Sequence, residues 1–196
     1  MVQHIDVSSV LRRTVCDLYS NLVTRPTGAA VRAEIEALVA ERPAGTRTLT
    51  VIDFTHVGLL DYSCADEVVA KLLLRYSMPD APHDAYFVLR GTHEAHVDAI
   101  ETVLARYGLA LVLEDSERRA RLVGAVGEDE RQVWDAVYRV GPADVTTVTA
   151  ALAGDQAARW EPDGVGRVMD ELFARRVVIA IGTQYLAVGR AEVVVG

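Results

Sequence analysis

Apolar residues follow two alternating rhythms over the first 114 positions. Thr48 to Phe54 (TLTVIDF), Ala85 to Leu89 (AYFVL) and Leu109 to Leu113 (LALVL) are short apolar runs rich in β-branched and aromatic residues, and each predicts a buried strand. Between them, Ala65, Val68, Val69, Leu72, Leu73 and Tyr76 recur at steps of three and four, as do Val97, Ile100, Leu104 and Tyr107. That spacing gives each stretch one apolar face and predicts amphipathic helices. An earlier stripe of Val31, Ile35 and Leu38/Val39 follows Pro26 and Gly28, which punctuate the approach to its helix. Strand, helix, strand, helix, strand implies parallel neighbours joined by right-handed crossovers. The segment from His4 to Leu22 reads as one or two further strands extending the sheet.

The rhythm breaks at Glu114 to Gly127 (EDSERRARLVGAVG), where charge density rises and glycines appear. We read residues 116–127 as a linker or connecting helix between two domains, 1–115 and 128–196. In the second, helices are expected at Arg131 to Arg139, Ala143 to Leu152 and Pro162 to Arg176. A hairpin of Val177 to Ile181 and Tyr185 to Val188 follows across Gly182-Thr183-Gln184. Three helices and a hairpin make a winged helix-turn-helix pattern. The expected architecture is an α/β domain with a mixed sheet and flanking helices, followed by a small α+β domain.

Composition narrows the setting. The chain is 51% hydrophobic and 24% charged, an ordinary globular balance. No apolar run approaches the roughly 20 residues a membrane span requires, and MVQHIDVSSVLRR lacks the order of a secretory signal. Cys16 and Cys64 are too few for a disulfide framework or a four-thiolate zinc site, so a cytoplasmic location is expected. The net charge of −8 divides evenly: 13 basic against 17 acidic residues over 1–127, and 7 against 11 over 128–196. Neither half has a general attraction to nucleic acid.

The most informative stretch is Val51 to Leu74, VIDFTHVGLLDYSCADEVVAKLLL. A buried strand ends in Asp53-Phe54, a connector carries Val57 and Leu60, and Asp61-Tyr62-Ser63 opens a helix. This resembles the STAS domain of anti-sigma-factor antagonists and sulfate-transporter tails, in which a strand leads through Asp-Ser-Ser/Thr-Gly into a helix. It looks closer still to STAS-like relatives with a pattern of Asp-Phe, Val, then Phe-Ala-Asp-Glu, matched here by Asp53-Phe54, Val57 and Cys64-Ala65-Asp66-Glu67. Thr24-Arg25-Pro26-Thr27-Gly28 entering a helix is similar too, and the likeness covers roughly residues 4–114. In antagonist STAS domains the serine after the aspartate is phosphorylated by a partner kinase. Carried over, Asp61 matches the aspartate, Tyr62 occupies the acceptor position, Cys64 replaces the glycine, and Ser63 keeps the second hydroxyl as the candidate phosphorylation site. Ser63 with Asp66 three residues later also reads as an ordinary helix cap. The resemblance implies a partner-binding surface around Asp61, Tyr62, Ser63 and Asp66, facing a protein partner such as a kinase-like ATPase or a sigma-regulatory protein.

Other chemistry is sparse. His93 and His96, with Asp98, put two imidazoles three apart on one helix face, a spacing that can ligate a divalent metal, but a zinc site needs at least one more ligand from elsewhere, with His56 and His83 as candidates if the fold brings them near. They are weak candidates, and no metal or cofactor is expected. Asp53 and Asp61 at strand ends read as caps rather than an acid/base pair. Cys64 reads as a packing residue. No Walker loop, Gly-x-Ser-x-Gly elbow or dinucleotide fingerprint is present, so the chain is not expected to be an enzyme. For DNA the candidates are Arg159, Arg167, Arg175, Arg176 and Arg190, opposed by Glu161, Asp163, Asp170 and Glu171. The expected function is a non-catalytic regulatory or adaptor protein acting by protein–protein binding, with a homodimer open. The alternative is a sequence-specific DNA-binding regulator.

Overall fold

The computed structural model describes residues 1–14, 20–43, 45–78, 80–153 and 159–193. In chain order the first part runs β1 (Val2–Asp6), α1 (Val7–Thr14), β2 (Asn21–Leu22), α2 (Arg25–Ala40), β3 (Thr48–Asp53), β4 (Leu59–Leu60), α3 (Tyr62–Ala65), a π-helical turn (Asp66–Ala70), α4 (Lys71–Ser77), β5 (Ala85–Arg90), α5 (Glu94–Tyr107), β6 (Ala110–Glu114) and β7 (Ala120–Gly124). The chain continues through α6 (Glu128–Val140), α7 (Val145–Leu152), α8 (Pro162–Ala174), β8 (Val178–Ile181), β9 (Gln184–Ala187) and a 3-10 segment (Val188–Val193).

β1, β3, β5 and β6 are parallel neighbours in that order, and β7 adds antiparallel to β6. Side chains alternate across the sheet. Ile52, Phe87, Leu89, Leu111 and Leu113 enter one apolar cluster with α1, α2, α4 and α5. Leu49, Val51, Tyr86, Val88 and Val112 enter a second cluster with α6, α7, α8 and the β8–β9 hairpin. The unbroken apolar runs of the central strands thus have a physical reason: both faces are covered, so neither register position is free to be polar.

Two stretches differ from the sequence reading. Val7 to Thr14 is a helix, not a strand: Val7, Val10 and Leu11 are buried at helical spacing, and Asp6 accepts the Ser8 N–H at 2.9 Å and the Ser9 hydroxyl at 2.5 Å, as a helix-opening carboxylate does. The stretch read as linker or connecting helix contains β7. Its charged start, Asp115 to Arg119, is the hairpin turn, with Asp115 accepting the N–H groups of Glu117 and Arg119, and its charges decorate an edge strand. Cys16 lies outside the described residues.

The C-terminal elements are tied to the sheet by polar contacts as well as burial. Trp134 is fully buried and donates its indole N–H to the Val177 carbonyl at 3.0 Å. Asp84, just before β5, accepts from Arg47 at 2.8 Å and Arg176 at 2.7 Å, and both guanidiniums lie over the Tyr86 ring. Burial works against the Asp84 carboxylate, but the two arginines outweigh it and hold it below the usual aspartate range. Arg47 also donates to the Ala180 carbonyl on β8 at 2.7 Å. Among the described residues no helix is long and apolar enough to cross a membrane.

Gly189 lies where the 3-10 segment meets the sheet, and a Cβ there would stand 2.3 Å from the Ala120 Cβ and 3.1 Å from Val112. Gly189→Val should lower stability by roughly 1–3 kcal/mol through overpacking, measured by urea unfolding. A loss within experimental error of zero would show that this contact is not tight.

Candidate functional site

The Asp61 region forms as a local consequence of one carboxylate. Asp61 is the N-cap of α3, with extended backbone, and its Oδ1 accepts the Cys64 N–H at 2.8 Å and the Ser63 hydroxyl at 2.9 Å. The cap is therefore Asp61 rather than the Ser63–Asp66 pair. Ser63 is half-buried and its hydroxyl is held by that carboxylate, so a phosphate placed on Ser63 would meet the Asp61 charge at close range. Asp53, the other strand-end acid, accepts the Thr55 N–H at 2.8 Å. Both acids cap backbone.

Immediately after the cap, Tyr62 is 57% exposed, and Leu59, on the preceding β4, is 48% exposed. They are among the few large apolar side chains left in water. β4 pairs in parallel with β2, matching Leu59 with exposed Asn21 and Leu60 with buried Leu22. Leu60, Val57 and Phe54 are buried beneath the same connector, so the two apolar side chains stand on an anchored base.

That base depends on residues the sequence reading placed differently. Asp66 is 4% exposed and Glu67 3% exposed, both within the π turn. One Nη1 of Arg25 donates to Asp66 at 2.7 Å and to Glu67 at 2.8 Å. Tyr107 donates its hydroxyl to Asp66 at 2.8 Å, and Lys71 and Arg32 flank Glu67 at 2.5 and 3.5 Å. Burial raises the pKa of each carboxyl, yet the hydrogen bonds and charges of these partners prevail and keep both below their ordinary values. Asp66 is thus a buried ion-pair member, not a surface contact. Gly28 permits the close approach: a Cβ on it would stand 3.0 Å from both the Cys64 Cα and the Glu67 Cβ. Cys64, buried beside it, donates its thiol to the Thr24 carbonyl at 2.9 Å. Burial, with the Asp61 charge adding to it, pushes that thiol up to about 11, which makes it a packing group rather than a nucleophile.

His93 and His96 open α5 in a capping box, with ring centroids 5.0 Å apart. His96 is buried against Phe54, and its Nδ1 accepts the His93 N–H at 3.4 Å. Burial lowers its pKa. Among the described residues no group of three His, Cys, Asp or Glu side chains is placed to hold a metal ion.

Of the five arginines considered for DNA, four contact the chain itself. Arg159 pairs with Asp129 and lies over Trp160. Arg175 pairs with Glu130 at 3.1 Å and donates to the Ala125 carbonyl. Arg176 is bound to Asp84 at 2.7 Å, and Arg190 donates to the carbonyls of Tyr138 and Arg139 at 2.5 Å. Only Arg167 extends from α8 without a partner among the described residues, and it shares that exposed face with Asp163, Asp170 and Glu171. No protein-family model, curated protein or solved structure matches the chain.

Arg25→Ala should destabilise the protein at pH 7 and flatten the acid limb of its pH–stability curve. The sign follows from the lowered carboxyl pKa values: their contribution is present above the ordinary 3.8 of Asp66 and 4.5 of Glu67 and is lost as pH falls through the folded values. Without Arg25 that contribution shrinks, so less remains to be lost on acidification. Chemical denaturation from pH 7 to 3 is the check, and an acid limb as steep as the wild type's would contradict the assignment.

Proposed function

We propose that this protein is a non-catalytic regulatory or adaptor protein that binds a protein partner through the surface carrying Leu59 and Tyr62. The observation that carries the reading is the pair of exposed apolar side chains, Leu59 on β4 and Tyr62 at the capped start of α3. Exposed aromatics on rigid backbone supply large contact area with little rotamer entropy to lose, which is how interface hot spots are built. Asp61 and Ser63 complete the surface as its polar rim, while Asp66 supports it from beneath.

The likeness of residues 51–74 to STAS-like domains, together with the parallel sheet and helices around them, favours a STAS-like module for the N-terminal part. The three helices and hairpin of the C-terminal part favour a winged-helix relative. A kinase-like ATPase or sigma-regulatory protein is accordingly the first partner class to test. DNA recognition is the weaker reading. Four candidate arginines are engaged within the chain, and the exposed face of α8 carries more acid than base, which phosphate would meet unfavourably.

The test is calorimetric titration of the full chain against a kinase-like ATPase or sigma-regulatory protein encoded beside it. Leu59→Ser and Tyr62→Ala each remove exposed surface, so thermal stability should change by no more than about 0.5 kcal/mol. Affinity should fall by about 2 kcal/mol for Tyr62→Ala, or roughly thirtyfold. Binding of undiminished strength in both variants would place the interface elsewhere.

A further inference from the structure

Of the five histidines only His96 is buried, at 1% exposure in the first turn of α5. Its ring packs on the connector between β3 and β4. The Phe54 ring lies 6.5 Å away between centroids, and the Gly58 carbonyl is near enough to favour the protonated form. Gly58 directly precedes exposed Leu59, so the imidazole adjoins the segment that delivers Leu59 to the surface.

The hydrogen bonding of the ring requires it to be neutral. Nδ1 accepts the His93 N–H at 3.4 Å as part of the capping box, which leaves the single ring proton on Nε2. Nε2 is buried and has no hydrogen-bond partner among the described residues. A second proton can therefore be added only at Nδ1, where it would face a backbone donor and break the cap bond. The resulting cation would also stand at the positive end of a 14-residue helix.

Among the described residues no carboxylate is placed to compensate that charge. On α5 itself, His93 lies 5.0 Å away and opposes a second positive charge, while Glu94 and Asp98 are exposed. On the connector, His56 is exposed. On the elements packed against α5, Asp61 caps α3 and the Cys64 thiol is bound to the Thr24 carbonyl. Asp66 and Glu67 are held by their cations, and Arg121 of β7 is exposed. Burial thus prevails over the Gly58 carbonyl and brings His96 below the ordinary 6.5. For an imidazole shifted down, the stabilisation is complete above 6.5 and is lost as pH falls below it.

We propose that His96 is an acid-sensitive latch: neutral, it closes the start of α5 against the 54–58 connector, and on protonation the two separate and Leu59 loses its anchored position. The consequence for partner binding rests on the function proposed above, whereas the structural step does not.

The test is amide hydrogen exchange of the full chain at pH 7 and pH 5, corrected for intrinsic exchange, with the His96 ring shifts followed by NMR over the same range. The N–H groups of Val57, Gly58, His96 and Val97 bond to Phe54, Ser20 and His93. Their protection should fall by about tenfold or more relative to β3 and β5, because each pH unit below 6.5 adds up to a factor of about ten to an opening that takes up a proton. His96→Gln keeps an acceptor at the capping position and does not titrate, so protection there should change little with pH. His93→Asn keeps a good N-cap and should retain the wild-type dependence. Wild-type protection that stays level with the sheet would overturn the proposal, as would a fall of wild-type size in His96→Gln. If that variant does not fold, the wild-type ring shifts decide: a His96 that becomes charged while these amides stay protected contradicts the latch. Partner affinity over the same interval tests the surface reading separately, since a latch that opens without loss of affinity stands and moves the interface elsewhere.

Discussion

Asp66 and Glu67 stand side by side in a π turn, both buried; the Arg25 guanidinium bonds to both from the start of α2, Tyr107 adds to Asp66, and Lys71 and Arg32 flank Glu67. Breaking such an arrangement leaves buried charge without compensation, which is far costlier than never having placed it there. Much else follows from keeping it closed. α2 must approach the α3 segment closely enough for Gly28 to lie against Cys64 and Glu67. The Cys64 thiol reaches the Thr24 carbonyl across the same gap. The Asp61 cap is then fixed one turn upstream, and with it the direction in which Tyr62 leaves the surface. The two carboxylates that share Arg25 both lie in this π turn, and such turns occur frequently at functional sites.

The sheet imposes the second constraint. Its central strands have no polar face, so the fold is complete only when both sides are covered. Helices α1, α2, α4 and α5 cover one side, and residues from α6 onward cover the other. The C-terminal helices and hairpin consequently direct their best apolar surface, and several of their arginines, towards the sheet. Arg176 and Arg47 meet over Tyr86 at Asp84, where they act as fasteners. The exposed part of α8 includes Asp163, Arg167, Asp170 and Glu171, more acid than base.

Periodicity made most elements legible in the sequence. The runs at Thr48, Ala85 and Leu109 became β3, β5 and β6 within a residue or so, and the stripes through Val31, Val68 and Val97 became helices. α1 was harder because Val7, Val10 and Leu11 make a single short turn of pattern, and β7 because the charges of its hairpin dominate its neighbourhood. At the site, the Asp61 helix start was legible from local chemistry, whereas the role of Asp66 was not, since its partner Arg25 lies 41 positions away. One signal was present: two adjacent acids inside an apolar stripe, between Ala65 and Val68, imply cations reaching in to them from elsewhere in the fold. The partners of the arginines in the C-terminal part were not legible for a related reason. A charge count cannot show that their acceptors are backbone carbonyls and distant acids.

The central claim is that Arg25 and the π-turn carboxylates act as one unit that sets the stability of the α2–α3 contact. A double-mutant cycle of Arg25→Ala and Asp66→Asn, measured by urea unfolding at pH 7, addresses it directly. The expected result is strong non-additivity, with the double variant losing clearly less stability than the two single losses combined, because Arg25→Ala strands the buried Asp66 carboxylate that Asp66→Asn neutralises. Simple additivity would contradict the claim, and the surface around Tyr62 would then owe its position to the apolar packing alone.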